Sequence, residues 1–265
     1  VPFSGGFVYE ENPTLSYVPV AGEAYIRQLM SPLPLSLFTQ LTQSLPYPEY
    51  TYDMLLASVN NIRNPSFLFG SQQDDPRFDR LVVIMTELTH QHCLLWVEGP
   101  TGEEEVSLVL EPDRPEPAAL AAELLELLDI AHPVNAGDRI VIPVSMALHG
   151  EETGGIGITT RSLMQLVEVL SAAVQVPQQD RNSGAVSDYP RPGRAGRDIR
   201  IQYADSRPEH AYVAVEKHDG WFYIDARDQA TKRYFKLLGS LWSAAMAKAL
   251  GANASTPVLT VPVSR

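Results

Sequence analysis

Cysteine is nearly missing from this chain. Cys93 stands alone among 265 residues, so no disulfide can close within it. That fits a reducing compartment, and equally an exported protein that is stable without bridges. Long apolar runs are missing too, since none approaches the ~20 residues needed to cross a bilayer. Basic residues are scarce: 20 Lys and Arg face 32 Asp and Glu, a formal charge of -12. That balance argues against a nucleic-acid binder, which needs a basic surface for phosphate contacts. The chain begins at Val1, not methionine, as a processed or trimmed chain would.

What is present is globular. Hydrophobic residues make up 45%, enough for one large domain or two small ones. Charge is unevenly spread. Between Glu98 and Asp129 only Arg114 offsets many carboxylates, while Arg181 to Arg207 is rich in arginine. Two solvated faces, or a docking pair, would both produce this pattern.

Periodicity predicts an α+β fold: a mixed or largely antiparallel sheet packed against several helices, with a helical amino-terminal region. Residues 1-70 are expected to form a strand and helical lobe, and 71-265 an α+β domain. Pro13 to Val20 alternates like an edge strand. Gly22 to Met30 and Leu35 to Leu45 read as short helices, and Tyr50 to Arg63 as a longer one through Tyr52, Leu55, Leu56, Val59 and Ile62. Asp75 to His90 is a helix with Asp75 as its cap, Pro76 in its first turn, and Phe78, Leu81, Val82, Met85 and Leu88 inward. Leu94 to Glu98 and Glu105 to Leu110 form a hairpin. Pro117 to Leu128 is a helix, Arg139 to Ala147 a strand, and Thr159 to Val174 an amphipathic helix. Pro177 to Arg197 lacks any period and reads as a long loop.

The strongest pattern lies between residues 198 and 250. Asp198 to Ala204 and His210 to Lys217 read as strands, and His218-Asp219-Gly220 turns into a third, Trp221 to Ile224. Asp228 then caps a helix from Gln229 to Leu250, with Tyr234, Leu237, Leu238, Leu241, Trp242 and Ala245 as its buried stripe. Pro257 to Val263 returns as a last strand.

Several blocks occur in order that resemble a family of uncharacterised Gram-negative bacterial envelope lipoproteins. The first is Asn12-Pro13-Thr14-Leu15-Ser16-Tyr17-Val18-Pro19-Val20-Ala21-Gly22-Glu23 with Leu29-Met30-Ser31-Pro32-Leu33-Pro34. Ser58-Val59-Asn60-Asn61-Ile62-Arg63-Asn64 and Thr160-Arg161-Ser162-Leu163-Met164-Gln165 follow. The last joins Ser206-Arg207-Pro208, Ala211 to Val215, Trp221 to Asp228 and Lys232, then Pro257 to Val263. The chain departs from the family pattern at Asn61, where Gly is expected, and at Ala226, where Asp is expected. The resemblance implies export, an amino-terminal lipid-bearing cysteine outside the numbered chain, and a place on the periplasmic side of the envelope, associated with the outer membrane. It implies no activity.

Chemistry-bearing residues each have a structural alternative. His90, His92 and Cys93 cluster near a helix end, but lack a fourth ligand and fit ordinary partly buried side chains. Gly154-Gly155-Ile156-Gly157 before Thr159-Thr160-Arg161 reads as a flexible turn; an anion-binding helix entry is the alternative, without the P-loop lysine. Glu209, His210, Asp225 and Asp228 would make a hydrolase or metal-dependent site if they converged, and otherwise brace a strand-helix junction. Trp221, Phe222, Tyr223, Tyr234 and Trp242 form a core, or line the pocket of a small-ligand carrier. Tyr189, Arg191, Arg194 and Arg197 are of the types enriched at binding hot spots, on a loop with little packing duty. The expectation is thus a non-enzymatic envelope protein, a peripheral structural or accessory subunit whose partners are other envelope proteins. No catalytic residue, metal, cofactor or nucleic acid is assigned to it.

Overall fold

The computed structural model describes residues 14–17, 22–64, 75–99, 106–132, 134–147, 155–186, 197–217, 220–252 and 259–262. The fold is α+β, as periodicity predicts. Its centre is a six-stranded mixed sheet of β2 (Leu56–Val59), β3 (Ile62–Arg63), β4 (Leu94–Glu98), β5 (Val106–Leu110), β6 (Ile140–Met146) and β7 (Ile156–Thr160), in the order β3-β2-β7-β6-β5-β4. Every pairing is antiparallel except β6 with β7. β1 (Thr14–Tyr17) pairs antiparallel with β11 (Leu259–Pro262).

Alternation along β4 and β6 sets the sheet's register. Leu94, Leu110 and Ile140 lie opposite one another across three strands, as do Trp96, Leu108 and Ile142. All six side chains are buried in the main hydrophobic cluster. A one-residue slip would turn each of them outward, so burial of this face fixes the pairing. The opposite face carries Leu95, Val97 and Val141, exposed by 42%, 41% and 55%.

Helices cover the inner face. α4 (Pro76–His90) buries Phe78, Leu81, Val82, Ile84, Met85 and Leu88, and Asp75 Oδ1 accepts the Arg77 N–H at 3.1 Å as its cap. The Arg77 guanidinium holds the Asp75 carboxyl below its ordinary range. α5 (Pro115–Leu127) packs on α4, and Arg80 meets Glu123 through two contacts of 2.6 Å in solvent. From α2 (Leu35–Ser44), Phe38 sets its ring 5.0 Å from Trp96, edge to face. Gln43, also from α2, donates its side-chain amide to the Trp96 carbonyl. That contact occupies an edge acceptor of β4, a position otherwise open to pairing with another chain. α1 (Gly22–Met30), α6 (Leu163–Ala172) and the long α8 (Gln229–Ala252) pack together. There Tyr25 meets Trp242 at 6.3 Å, and the Tyr234 hydroxyl donates to the Leu166 carbonyl.

Two expected helices are shortened by strands. Tyr50 to Arg63 contains α3 (Pro48–Leu55), then β2 and β3. The two-residue connection holds Asn60 and Asn61 at φ 41° and 67°. Both central residues lie in the left-handed region, as a tight hairpin turn matching strand twist requires. Asn61 thus sits where a glycine would be unstrained. Asn60 also fastens the turn: its Oδ1 accepts the Gly157 N–H at 2.7 Å, and its Nδ2 donates to the Leu128 carbonyl at 2.9 Å. The helix expected from Thr159 starts only at Leu163, because Thr159 and Thr160 end β7. Ser162 and Gln165 form a reciprocal capping box at its start. Gly157 lies inside β7 with its amide committed to Asn60, so it is part of a strand, neither the expected flexible turn nor an anion-binding helix entry; Gly154 lies outside the described residues.

The boundary at residue 70 does not divide the core. β2 and β3 lie in the same sheet as β4 to β7, and Phe38, Tyr52 and Leu55 share one cluster with Leu108 and Ile142.

Candidate functional site

Among the described residues of the segment from Pro177 to Arg197, Gln178–Asn182 forms a short helix, α7. Tyr189, Arg191 and Arg194 lie outside the described residues, and Arg197 is exposed. With Asp198 and Ile199, Arg197 lines a cleft of about 310 Å³ against Glu49, Tyr50, Asp53 and Met54 of α3. Beneath α3 runs a buried polar connection. Arg161, fully buried, donates from Nη1 to the Asp53 carbonyl at 3.0 Å and the Met54 carbonyl at 3.2 Å. These are the last carbonyls of α3, which lack intrahelical donors. Burial lowers the Arg161 pKa to about 10, partly countered by the Tyr234 hydroxyl and the Asp53 carboxyl.

The acidic and histidine quartet divides. Asp225 and Asp228 line an open cleft of about 420 Å³ with Asp198, Arg200, Gln202 and Arg227, and neither Glu209 nor His210 is among its lining residues. Asp225 Oδ1 accepts the Arg227 N–H at 2.7 Å, a local turn. Asp228 spends both oxygens on one residue: Oδ1 accepts the Thr231 N–H at 3.0 Å and Oδ2 its hydroxyl at 2.6 Å. Thr231, fully buried, accepts the Arg200 N–H in turn at 2.8 Å. Asp228 therefore joins the start of α8 to the chain entering β8 (Gln202–Ala204). Asp228→Ala is expected to cost ~1–2 kcal/mol, whereas Asp228→Asn retains most of the cap. Urea midpoints of the two variants test this; equal losses would show that the side-chain acceptor at Oδ1 is not what matters.

The expected common aromatic core is split. Tyr234 belongs to the main cluster and Trp242 packs against it. Trp221, Phe222 and Tyr223 instead stand half-buried on a separate three-stranded sheet, β8-β10-β9, of β9 (Ala211–Lys217) and β10 (Gly220–Asp225). Even its buried Ile224 lies outside the main cluster. Both faces are aromatic. On one, Tyr203 meets Phe222 at 5.3 Å and its ring covers the Gly220 backbone so closely that a Cβ there would lie 2.3 Å from it. Only glycine fits. On the other, Arg207 lies over Trp221 at 5.5 Å, and Lys232 and Lys236 lie over Tyr212 at 5.3 and 5.8 Å. Sequence alternation finds these strands, but it does not reveal that the sheet stands off the core.

His90 and His92 are exposed, and His92 takes φ 57° at the end of α4. Cys93 is buried, with Sγ 3.4 Å from the Gln91 carbonyl and 3.8 Å from Asp113 Oδ1. Among the described residues no three His, Cys, Asp or Glu side chains are placed to hold a metal ion. No helix among them is long and apolar enough to cross a membrane. No family model matches the chain, and no curated protein or solved structure matches it either.

Proposed function

We propose that this chain is a non-enzymatic envelope protein, a peripheral structural or accessory subunit of a larger protein assembly. The observation that carries the proposal is the small sheet. It sets the half-buried Tyr203, Phe222 and Trp221 and the exposed Tyr212 on two faces, outside the core they would otherwise serve. Aromatic side chains supply large contact area at low entropic cost, and with arginine they dominate binding hot spots. Asp228 meanwhile is spent on bracing a helix, which leaves the acidic cleft a structural junction. The Arg197 end of the arginine-rich segment, with Tyr189, Arg191 and Arg194, and the acidic stretch from Glu98 to Asp129 supply further charged recognition surfaces. The place on the periplasmic side comes from the resemblance of the sequence blocks.

The test is purification of the full chain from detergent-solubilised envelopes, as wild type, Trp221→Ala and Phe222→Ala. A second polypeptide is expected at fixed stoichiometry with wild type, lost with the variant whose face it contacts. Recovery of this chain with no other polypeptide would overturn the proposal.

A further inference from the structure

The free edges of the two larger sheets differ in how they are protected. β4 has an edge carbonyl capped by Gln43, β3 is two residues long, and β8 has its Tyr203 amide held by Gln175 Oε1 at 3.3 Å. β9 is seven residues long, and among the described residues nothing bonds its outer backbone groups. Its Val215 and Tyr212 are exposed by 59% and 39%. A long edge left uncovered by the described residues is a template for another strand.

The direction of those groups follows from the register. The Tyr203 amide faces Gln175, away from β10, so the opposing Phe222 turns its backbone groups toward β9 and bonds Val215. The two-residue connection between Lys217 and Gly220 demands the same phase. Ala214 and Glu216 therefore point their amides and carbonyls outward, with Tyr212 beyond them beside the bulge.

We propose that β9 is the seam of a homodimer. Two copies pair antiparallel along this edge with Ala214 opposite Ala214, joining two three-stranded sheets into one of six strands. The sequence of β9 is self-complementary in that register. Val213 of each copy lies opposite Val215 of the other, so an apolar row runs unbroken from Tyr203 through Phe222 and Val215 into the second sheet. Glu216 of each copy lies opposite Tyr212 of the other, on the same face, where Lys232 and Lys236 already sit over the ring. Each acidic side chain thus meets two cations across the seam, twice by symmetry. This contact does not depend on what the aromatic faces bind or on the compartment.

The test is mass by light scattering and sedimentation across a concentration series of the purified full chain. Wild type is expected to rise toward twice 29.2 kDa with concentration. Ala214→Pro removes an outward amide that the β9–β10 ladder does not use, and should be monomeric with an unchanged circular dichroism spectrum. Glu216→Lys should weaken association at least ~tenfold, and adding Lys236→Glu should restore it, which a folding defect would not. If Ala214→Pro fails to fold, the charge-swap pair decides alone. A monomer at every concentration would overturn the seam. So would a dimer indifferent to the Glu216→Lys and Ala214→Pro changes, or association only with a different polypeptide along this edge.

Discussion

Arg161→Met should cost ~3–5 kcal/mol, the range for removing one member of a buried charged group while its partners stay. Methionine nearly fills the volume, so the loss is not chiefly a cavity. The Asp53 and Met54 carbonyls at the end of α3 lose the guanidinium donor, and the Asp53 side chain, itself buried, loses its neighbouring positive charge. Arg161 also ties three elements through its backbone, donating to the Leu55 carbonyl at 2.7 Å and accepting from Leu33 N–H at 3.2 Å. Those bonds survive the substitution, so the variant should fold and be measurable. Urea denaturation with an unchanged slope gives the difference directly. Asp53→Asn added to Arg161→Met should recover part of the loss, because an amide is cheaper to bury than an uncompensated carboxylate. A loss below ~1 kcal/mol would show that water or backbone movement replaces the arginine.

Alkaline pH should unfold this protein through two buried phenols. Burial raises the Tyr52 pKa to about 12, against the lowering effect of its bonds with Thr89 and Trp96, and raises that of Tyr234 as well. In the unfolded chain each releases its proton near the ordinary value of 10. Between those values the folded state holds protons that the unfolded state has lost, so stability falls as pH rises. Each group contributes about 1.4 kcal/mol per pH unit. Tyr52 alone therefore removes about 2 kcal/mol by pH 12, and Tyr234 adds to it.

Arg161 works in the opposite direction. Its folded pKa lies below its unfolded value, so above about pH 10 the folded state sheds that proton first and gains stability as pH rises. Two phenols against one guanidinium leave a net loss. Urea midpoints measured from pH 9 upward should fall for wild type and fall less steeply for Tyr52→Phe. Tyr52→Phe should also cost ~1–3 kcal/mol at neutral pH, because the buried Trp96 Nε1–H loses the acceptor it has at 3.1 Å. If the alkaline slope of Tyr52→Phe equals that of wild type, the phenol titrates with its protein already open.

The caps were the most legible part of the chain. Asp75 before Pro76 and Asp228 before α8 are local patterns that work through nearby amides, and the structure places hydrogen bonds at each. The box of Ser162 and Gln165 is equally local, but the expected helix from Thr159 runs over it. The inward face of α4 was equally plain. The β2–β3 hairpin is hidden in the sequence, although Asn60-Asn61 suits a tight turn, because Tyr52, Leu55, Leu56, Val59 and Ile62 also fit a helical period. Short apolar runs support either period, and the neighbouring β7 decides between them.

Sequence alone determined an α+β chain with its main helices, its alternating strands and an acidic surface, because hydrophobic period, capping and net charge are properties of neighbouring residues. Tertiary structure alone decided that residues 56–63 join the central sheet and that Arg161 is buried against α3. It also decided that the aromatic strands near the carboxy terminus stand off the core with one edge open. Each of those outcomes depends on which distant segment removes a side chain or an amide from water, and no local pattern carries that information.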